Sequence, residues 1–555
     1  MYLMLKIKKL YKNNFINLLL VFLFSIIVFL HAWVSDDAYI TFRTVDNFVN
    51  GYGLTWNISE RVQSFTHPLW AFIISIFYLC TREIYFTSLI VSMVISLITI
   101  LLVIYKLSDS YYKSILIVLI LIFSKSFIDY STSGLENSLT HLLIAIFFIV
   151  YLQYKECDKK LLLLSFIISL AALNRLDTIL ICIPVLISSY LQSEKIRGLL
   201  IIAVGFLPLI IWETFSLLYY GFVFPNTAYA KLNTGIEQYQ LIEQGLNYFL
   251  FSFYFDPITP IVIVIGLTAS IFLKDKKLFL ISAGIFLYIV YIINIGGDFM
   301  GGRFLSTPLL CSTIIILKFK IKSKKSFIIK IASVVIIGLL SSNPTVISFL
   351  HISLGARMLQ VINVNISQSH GIVDERSIYF DDTGLLNNIN KRQILKFWLI
   401  DSALTVRNSK ERVIVQGVTG MFGYYCGPNV HIIDTLALSD PLLSKLPCER
   451  RALPFDDFHP HDPKRWRIGH FKREIPEGYT ETIRTGTNQI VNSDLRLYYN
   501  KLSVLIKGDI WNINRLGEIW NFNTGKYDYL LKNYKKNLKQ NSANFKNEKR
   551  GLLYD

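Results

Sequence analysis

The chain has 555 residues, of which 53% are hydrophobic, and its mean hydropathy is +0.45. A chain of this length has room for two or three soluble domains, but its apolar residues occur in runs near the roughly 17–25 residues that cross a bilayer, which excludes a mainly soluble protein. The formal net charge of +17 lies largely in short lysine clusters between these runs. Such clusters are typical of cytoplasmic loops, and without a base-stacking module beside them we expect no nucleic-acid partner.

The apolar segments predict a polytopic α-helical membrane protein over residues 1–350, with about 11–13 membrane helices. Residues 1–14 are basic and 15–33 are apolar, which favours an uncleaved first helix with its amino terminus inside. The further segments lie at about 68–80, 86–105, 114–128, 138–153, 160–173, 178–193, 198–220, 257–273, 278–295, 304–318 and 326–350.

The lysine clusters predict the orientation of the loops. If 154–160, 194–198, 274–277 and 318–325 are inside, the loops at 34–67, 133–137, 174–178, 224–235 and 296–304 are outside, with everything after about 350. Three predicted segments lie between residues 68 and 128, but the loops before and after them are both predicted outside, which requires an even number of crossings. Either one of those segments is re-entrant or interfacial, or a further span lies there.

The composition changes at about residue 351. Long apolar runs end, and strand-like stretches at 411–417 and 430–438 alternate with turn residues. We predict a water-exposed, extracytoplasmic α/β domain over 351–530, followed by a basic, loosely ordered tail over 531–555. If this domain is outside the cytoplasm, Cys426 and Cys448 have the opportunity to form a disulfide, and the sequence leaves this open.

The first outer loop, 34–67, carries the most distinctive polar pair, Asp36-Asp37. It follows the first apolar span directly, where ionised carboxylates are costly. Trp33 and Tyr39 flank it, as amphipathic aromatics do at headgroup level. One interpretation is a catalytic carboxylate at the water–lipid boundary, and the other is a solvated pair that ends a helix.

The other outer loops bring further ionisable groups to the same face: Glu136; Arg175 and Asp177; Asn226 and Lys231; Asp298 and Arg303. Polar loops at a membrane edge would explain charge of one sign. The mixture of carboxylates with Arg and Lys favours a site that holds a phosphorylated ligand.

Several motifs in one order resemble a known family. They are DDAYITFR (36–43), GYGLTWN (51–57), ERV (60–62), THPLW (66–70), SGLEN (133–137), FPNTAYAK (224–231), GGDFMGGRF (296–304), YYCGPNVHIIDTLALSDPLL (424–443) and WRIGHFKREIPEGY (466–479). They resemble bacterial GT-C membrane glycosyltransferases, in particular the terminal β-(1→2) arabinofuranosyltransferases of mycobacterial arabinan and their relatives. The departures are Leu176, where many relatives have Pro, and His67, where Asn is frequent.

The resemblance implies a GT-C enzyme that moves a sugar from a polyprenyl-phosphate donor to a cell-envelope glycan. It places the reaction on the outer face of the bacterial cytoplasmic membrane and the catalytic acid on Asp36 or Asp37. A pentofuranose such as arabinofuranose is the candidate sugar. The sugar, the acceptor, the linkage and the choice between inversion and retention stay open.

Chemistry assigns provisional roles to the remaining residues. Asp36 or Asp37 is the base, and Arg43, Lys231, Arg303 and Arg175 are candidates for the donor phosphate. Glu136, Asn226, Asp298, His67 and Asp177 are candidates for sugar or acceptor binding, with an Asp298–Arg303 ion pair as the alternative for that pair. No cofactor is required. If a divalent cation is bound, Asp36, Asp37 and Asp298 are its candidate ligands.

In the outer domain, Asp434, Asp440, His470 and the Trp466-Arg467 pair have two interpretations. They bind the acceptor sugar, or they pack the domain onto the membrane part, and we favour packing. Two other protein classes are also considered: a transporter or flippase for a lipid-linked sugar, and a non-catalytic membrane assembly factor that binds glycan.

Overall fold

The computed structural model describes residues 2–341 apart from 320 and 322, and residues 344–346, 370–389, 395, 397–448, 453–454 and 465–537. The described residues are mostly helical. The helices of the apolar part are α1 (Tyr2–His31), α2 (Asp36–Val49), α3 (Pro68–Thr81), α4 (Ile84–Leu102), α5 (Tyr111–Phe123), α6 (Lys125–Asp129), α7 (Asn137–Gln153), α8 (Asp158–Asn174), α9 (Ile179–Tyr190), α10 (Lys195–Gly205), α11 (Leu207–Tyr220), α12 (Asn226–Leu232), α13 (Gln238–Phe255), α14 (Ile258–Leu273), α15 (Lys276–Asn294), α16 (Ser306–Ile316) and α17 (Lys324–Leu339).

The part that follows is built from short elements. They are α18 (Glu375–Thr383), α19 (Leu385–Asn388), α20 (Trp398–Asn408), β1 (Val413–Gln416), α21 (Gly420–Cys426), β2 (His431–Asp434), β3 (Leu453–Pro454), β4 (Arg465–Trp466), α22 (Tyr479–Thr485), α23 (Ser493–Lys507) and α24 (Ile513–Asn523). Strands β1 and β2 pair in parallel, as do β3 and β4. The predicted strands at 411–417 and 430–438 are β1 and β2, and helices make up most of the described remainder.

Three described helices are long and apolar enough to cross a membrane alone: 14–31, 84–107 and 276–294. Two bent pairs, α10 with α11 and α13 with α14, pass the same test together, and shorter apolar helices lie at 68–81, 111–123, 137–153, 176–190 and 303–316. The prediction of a helical membrane protein is confirmed.

Contacts between loops define two ends of the helical bundle. At one end, which we call the lysine end, the Gln153 side chain donates to the Lys106 carbonyl oxygen, and the Tyr112 and Phe327 rings lie 4.7 Å apart. At the other end, the site end, the Trp70 indole donates to the Gly134 carbonyl oxygen at 2.9 Å. The helices that run between the two ends are α1, α4, α5, α7, α8, α9, the α10–α11 pair, α14, α15, α16 and α17.

Helix α3 lies at the site end along its whole length. Near its start, His67 contacts Glu136 at 3.4 Å, and just past its end Arg82 donates to Asn50 at 3.0 Å, on the loop that follows α2. The next helix, α4, also begins there, because the Tyr85 hydroxyl donates to the Thr383 carbonyl oxygen at 3.0 Å. The predicted segment 68–80 is therefore the interfacial one, and this closes the count of crossings between 68 and 128.

Helix α13 was not among the predicted apolar segments, and it too stays at the site end. Gln238 at its start donates to the carbonyl oxygen of Asn294, the last residue of α15, at 2.8 Å. Asp256 at its end accepts from Ser124 and from the backbone N–H of Ser126, at 3.0 and 2.7 Å. It meets α14 at 113°, so the pair forms an elbow of one helix across the bundle and one along it.

Parts of the sequence prediction lie outside the described residues. They include the predicted domain boundary near 350, the end of the 326–350 segment and most of the 531–555 tail.

The two cysteines of the possible disulfide, Cys426 and Cys448, both lie among the described residues. The Cys426 thiol contacts the Ala403 carbonyl oxygen and the Cys448 thiol contacts that of Thr234, at 3.6 and 2.9 Å, so the two cysteines are not bonded to each other.

The position of α3 can be tested with two native thiols. Cys80 near the end of α3 and Cys157 between α7 and α8 are both exposed. Because α3 stays at the site end and Cys157 lies at the lysine end, we expect a membrane-impermeant maleimide to label them from opposite sides of oriented vesicles. Cys157→Ser and Cys80→Ser variants separate the two signals, and labelling in detergent gives the total for each. If α3 crossed the membrane, both thiols would react from the same side.

Candidate active site

Asp36 and Asp37 begin α2, one short turn after the end of α1. Two carboxylates in the first turn of a helix lie where its free N–H groups favour negative charge. Asp36 is only 4% exposed, so the pair is not a solvated helix end. Consecutive residues on a helix point about 100° apart, and the two side chains have different surroundings.

Asp36 fastens the first outer loop to helix α21 of the outer domain. Its Oδ1 accepts the backbone N–H of Met421 at 2.8 Å. Gly420 packs so closely that a Cβ there would lie 2.4 Å from Asp36 Oδ2. Burial raises the pKa of Asp36 to about 7; the Met421 hydrogen bond opposes the rise and the neighbouring Asp37 adds to it.

Asp37 is half-buried, and no other described residue donates a hydrogen bond or forms an ion pair with its carboxylate. Burial raises its pKa, while the charges of Arg303, Lys231 and Arg467 lower it and that of Asp298 raises it. Asp37 is therefore a carboxylate open to a ligand among three cationic side chains.

Glu375, the first residue of α18, is a third carboxylate at this place and was missed by the sequence analysis. It is 5% exposed, and burial raises its pKa to about 8, with the Asp37 charge as the next cause. The backbone holds it there, because Val373 pairs with Phe299 and Gly301 in the GGDFMGGRF loop at 2.8 and 2.9 Å.

Charged neighbours of Glu375 fix the start of α18 to the bundle. Asp374 lies 3.2 Å from Lys125, which also pairs with Asp129 at 2.6 Å. Arg376 donates to the His31 carbonyl oxygen at 3.2 Å. The sequence around Glu375 has no apolar periodicity or motif to mark it, and only these long-range contacts place it in the site.

Arg467 comes to the same place from the outer domain. Its guanidinium lies 4.5 Å from the centre of the Phe299 ring, and its Nε donates to the Gly371 carbonyl oxygen at 2.8 Å. Its buried Nη2 has no hydrogen-bond partner among the described residues. His470 packs edge-on against the same ring at 4.5 Å. Of the outer-domain candidates whose side chains are described, these two reach the site, and the side chain of Trp466 lies outside the described part.

Asp434 and Asp440 serve the folding of the outer domain. Asp434 accepts the backbone N–H groups of Leu436 and Ser439, both at 2.9 Å. Asp440 accepts the Tyr479 hydroxyl at 3.0 Å. These contacts lie within the outer domain, so acceptor binding and packing onto the membrane part both stay predictions for this pair.

Behind Asp37 lies a buried ion cluster centred on Glu136, which is 2% exposed. Its carboxylate accepts from Arg303 at 3.1 and 3.4 Å and from Arg175 at 3.2 Å, and it contacts His67 at 3.4 Å. Burial alone would raise the pKa of Glu136, but Arg303, His67 and Arg175 hold it at about 2. Burial lowers the pKa of His67 to about 4, so this histidine is neutral at pH 7.

Each arginine of this cluster also has a second carboxylate. Arg175 donates twice to Asp177, at 3.1 and 2.6 Å. Arg303 lies 3.6 Å from Asp298, which gives the predicted ion pair, but its buried Nε has no hydrogen-bond partner among the described residues. Arg303 therefore retains a donor for a ligand, and the fork of Arg175 is occupied.

Two predicted site residues lie elsewhere. Arg43 stacks on Trp56 at 4.3 Å and donates to the carbonyl oxygens of Trp56, Gly423 and Val430 at 2.6–2.8 Å. Asn226 donates to the carbonyl oxygens of Ala437, Leu438 and Asp440 at 3.0–3.1 Å. The structure does not bring either residue to Asp37, since both join the loops of the membrane part to the outer domain.

An apolar cavity of about 570 Å³ lies between the first loop, α3, the end of α8 and α11. Its lining includes Pro68, Phe72, Leu173, Trp212 and Phe215. Pro68 follows His67, and Leu173 lies two residues before Arg175, so the cavity ends beside the Glu136 cluster. Among the described residues, no three His, Cys, Asp or Glu side chains form a group suited to a metal ion. The predicted set Asp36, Asp37 and Asp298 is not such a group.

The Glu136 cluster predicts a pH-dependent contribution to stability. Glu136→Gln leaves two buried arginines without their shared charge, and we expect it to lower the free energy of unfolding by about 3–5 kcal/mol. Since the folded pKa is about 2, below the ordinary value, the wild-type advantage is present above about pH 4.5 and falls as the pH approaches 2. Thermal unfolding in detergent at several pH values measures it.

Glu481→Gln is the matched control, because Glu481 pairs with Arg484 at the surface, where both side chains are about half exposed. An exposed pair contributes at most about 1 kcal/mol. Equal loss in the two variants would contradict a central role for Glu136.

Known proteins of similar sequence include glycosyltransferases. No protein-family model matches the chain. A terminal beta-(1->2)-arabinofuranosyltransferase of Mycobacterium tuberculosis is 23% identical over 539 residues, which cover 80% of this chain and 81% of that protein. One of Corynebacterium glutamicum is 27% identical over 331 residues, 50% of this chain and 46% of that protein. The crystal structure of ArnT from Cupriavidus metallidurans bound to undecaprenyl phosphate matches with a TM-score of 0.42 and 12% identity, covering 75% of this chain and 85% of ArnT. The chain is thus similar over most of its length to a curated glycosyltransferase, which confirms the resemblance predicted from its motifs.

Proposed function

We propose that the chain is a membrane glycosyltransferase that moves a sugar from a polyprenyl-phosphate donor to a glycan, with Asp37 as its catalytic carboxylate. The observation that carries this is the state of the Asp37 side chain. It is half-buried at the site end of an apolar helical bundle, no described residue bonds to it, and three cations lie within electrostatic reach. A structural carboxylate in such a place would be expected to have a bonded partner.

The reaction requires charge at two points. The bond between the anomeric carbon and the phosphate oxygen breaks, the lipid phosphate leaves with the electron pair, and the acceptor oxygen bonds to the carbon as its proton departs. A carboxylate serves the carbon or the proton, and cations stabilise the departing phosphate. Asp37 beside Arg303, Lys231 and Arg467 supplies both.

The phosphate is assigned to cations with free donors among the described residues. Arg303 Nε and Arg467 Nη2 are buried without hydrogen-bond partners there, and Lys231 is exposed. Arg175 is committed to Glu136 and Asp177. We therefore assign Arg175 the task of holding Glu136, and through it Arg303, in place.

The apolar cavity supports a lipid-linked donor. A polyprenyl chain needs an apolar surface that leads to the charged site, and the cavity passes from α11 to the residue next to His67. A soluble nucleotide-sugar would have no use for it. This favours a polyprenyl carrier, and the pentofuranose and the envelope glycan follow from the resemblance alone.

The orientation belongs to the same proposal. The lysine clusters support a cytoplasmic position for the lysine end. The number of end-to-end helices among the described residues is odd, which supports an outer domain on the other side. The site would face the outer surface of the cytoplasmic membrane.

A divalent cation, for which Asp37 and Asp298 are the remaining candidate ligands, stays a prediction.

The two aspartates should differ when they are replaced. We expect Asp37→Asn to reduce sugar transfer by about 10²–10⁴-fold, because it removes the open carboxylate, with little change in thermal stability. Asp36→Ala, which removes the acceptor of the Met421 N–H, should mainly destabilise the contact with α21. The measurement is product formation in membranes supplied with polyprenyl-phosphate sugars, beside thermal unfolding of each purified variant.

Three outcomes decide between the protein classes. Full transfer by Asp37→Asn would remove this residue from the chemistry. Donor uptake across the membrane without a glycosidic product would indicate a flippase, and donor or glycan binding alone an assembly factor. The anomeric configuration of the product then shows the role of Asp37, because a base gives inversion and a nucleophile gives retention.

Glu375 should limit the reaction at alkaline pH. Its pKa of about 8 keeps it mostly protonated at pH 7, so it adds little charge beside Asp36, Asp37 and Asp298. Above pH 8 it ionises and we expect transfer to fall. Glu375→Gln, which stays neutral at every pH, should keep transfer at pH 7 and lose this fall. An unchanged pH profile would exclude Glu375 from the site.

A further inference from the structure

Helix α24, near the end of the described residues, presents two unlike surfaces to its surroundings. Ile513, Leu516 and Trp520 occupy positions i, i+3 and i+7, which is one stripe of a helix. They are 75%, 38% and 72% exposed, and Trp511 just before the helix is 81% exposed. Asn514 and other polar residues lie on a neighbouring sector. The stripe is too apolar to be explained as an ordinary solvated surface.

The opposite side of α24 is fastened to the end of α11. Arg515, which is fully buried, donates to the carbonyl oxygens of Leu218 and Tyr219 at 2.6 and 2.8 Å, and to that of Leu505 at 2.9 Å. Leu218 and Tyr219 belong to the last turn of α11. The contact therefore sets α24 at the level where a membrane helix ends.

Below this contact, α11 presents apolar side chains outward. Leu207, Ile210 and Ile211 are 46%, 49% and 65% exposed, as expected of a helix that faces lipid. Through Arg515, α24 is attached to the end of this helix. Trp at this level is the residue type that prefers the headgroup region, because its ring is apolar and its N–H is polar.

We infer that α24 lies on the outer-leaflet surface of the bilayer, with Trp511, Ile513, Leu516 and Trp520 inserted among the lipid headgroups. Amphipathic helices bind membranes in this way, with the apolar side at the boundary of the acyl chains. A second copy of the chain would suit the stripe less well, since the exposed apolar residues of the neighbouring α11 are those expected to face lipid. The inference concerns the seating of the outer domain and does not depend on the proposed reaction.

Tryptophan fluorescence in lipid nanodiscs tests it on the full chain. The background variant is Trp511→Phe with Trp520→Phe, which keeps both sites apolar. One tryptophan is then added, by Leu516→Trp on the stripe or by Asn514→Trp on the polar sector as the matched control. The emission of the added residue is the difference from the background.

With brominated phosphatidylcholine, we expect the tryptophan at 516 to lose most of its emission and the one at 514 to keep it. Aqueous iodide should show the reverse order. Quenching of both by iodide and of neither by brominated lipid would place the stripe in water and overturn the inference. Protection from both quenchers would place it against protein, either a second copy or another part of this chain, and would overturn it equally. Correct folding of each variant is checked by its thermal transition.

Discussion

The site end of the bundle depends on the neutralisation of one buried carboxylate. Glu136 begins α7, Arg175 follows α8, Arg303 precedes α16 and His67 precedes α3. An isolated ionised carboxylate in these surroundings would be very costly, so four segments distant in sequence must meet at it. Once they meet, Arg303 is fixed and cannot turn away from Asp37. The ion cluster therefore fixes the position of Arg303, one of the three cations beside Asp37.

Asp36 and Asp37 are adjacent and identical in the sequence, but their side chains have different roles in the structure. Asp36 gives its carboxylate to the backbone of α21 and closes the outer domain over the first loop. Asp37, one helical step further, is left open among Arg303, Lys231 and Arg467. A helix supplies this division directly, because adjacent side chains face different sectors. The contact of Asp36 with α21 holds the start of α2 in place, and with it the unbonded side chain of Asp37.

The sequence predicted those features that depend on local composition. Apolar runs located the membrane helices, because hydrocarbon admits little else, and Glu136, Arg303 and Asp37 were found as charges at the ends of such runs. It did not predict that α3 stays at one end, since a segment of its length fits either arrangement. It missed α13, whose apolar residues are interrupted by Gln244 and Gly245. Glu375 was missed because contacts such as that of Asp374 with Lys125, about 250 residues earlier in the chain, place it.

Arg43 and Asn226 are residues that the sequence predicted in the site and that the structure places elsewhere. A cation in an outer loop is equally suited to a phosphate and to a set of carbonyl oxygens, and only the fold decides. Here the fold uses both residues to join the membrane loops to the segments at 423–440. That use has a functional consequence. The outer domain and the segment before it bring Arg467 and Glu375 to Asp37, so neither the bundle nor the outer domain alone contains the whole site. Arg303 and Lys231 reach Asp37 from the membrane part, and Arg467 reaches it from the outer domain. Contacts such as that of Arg43 with Gly423 join these two parts of the chain.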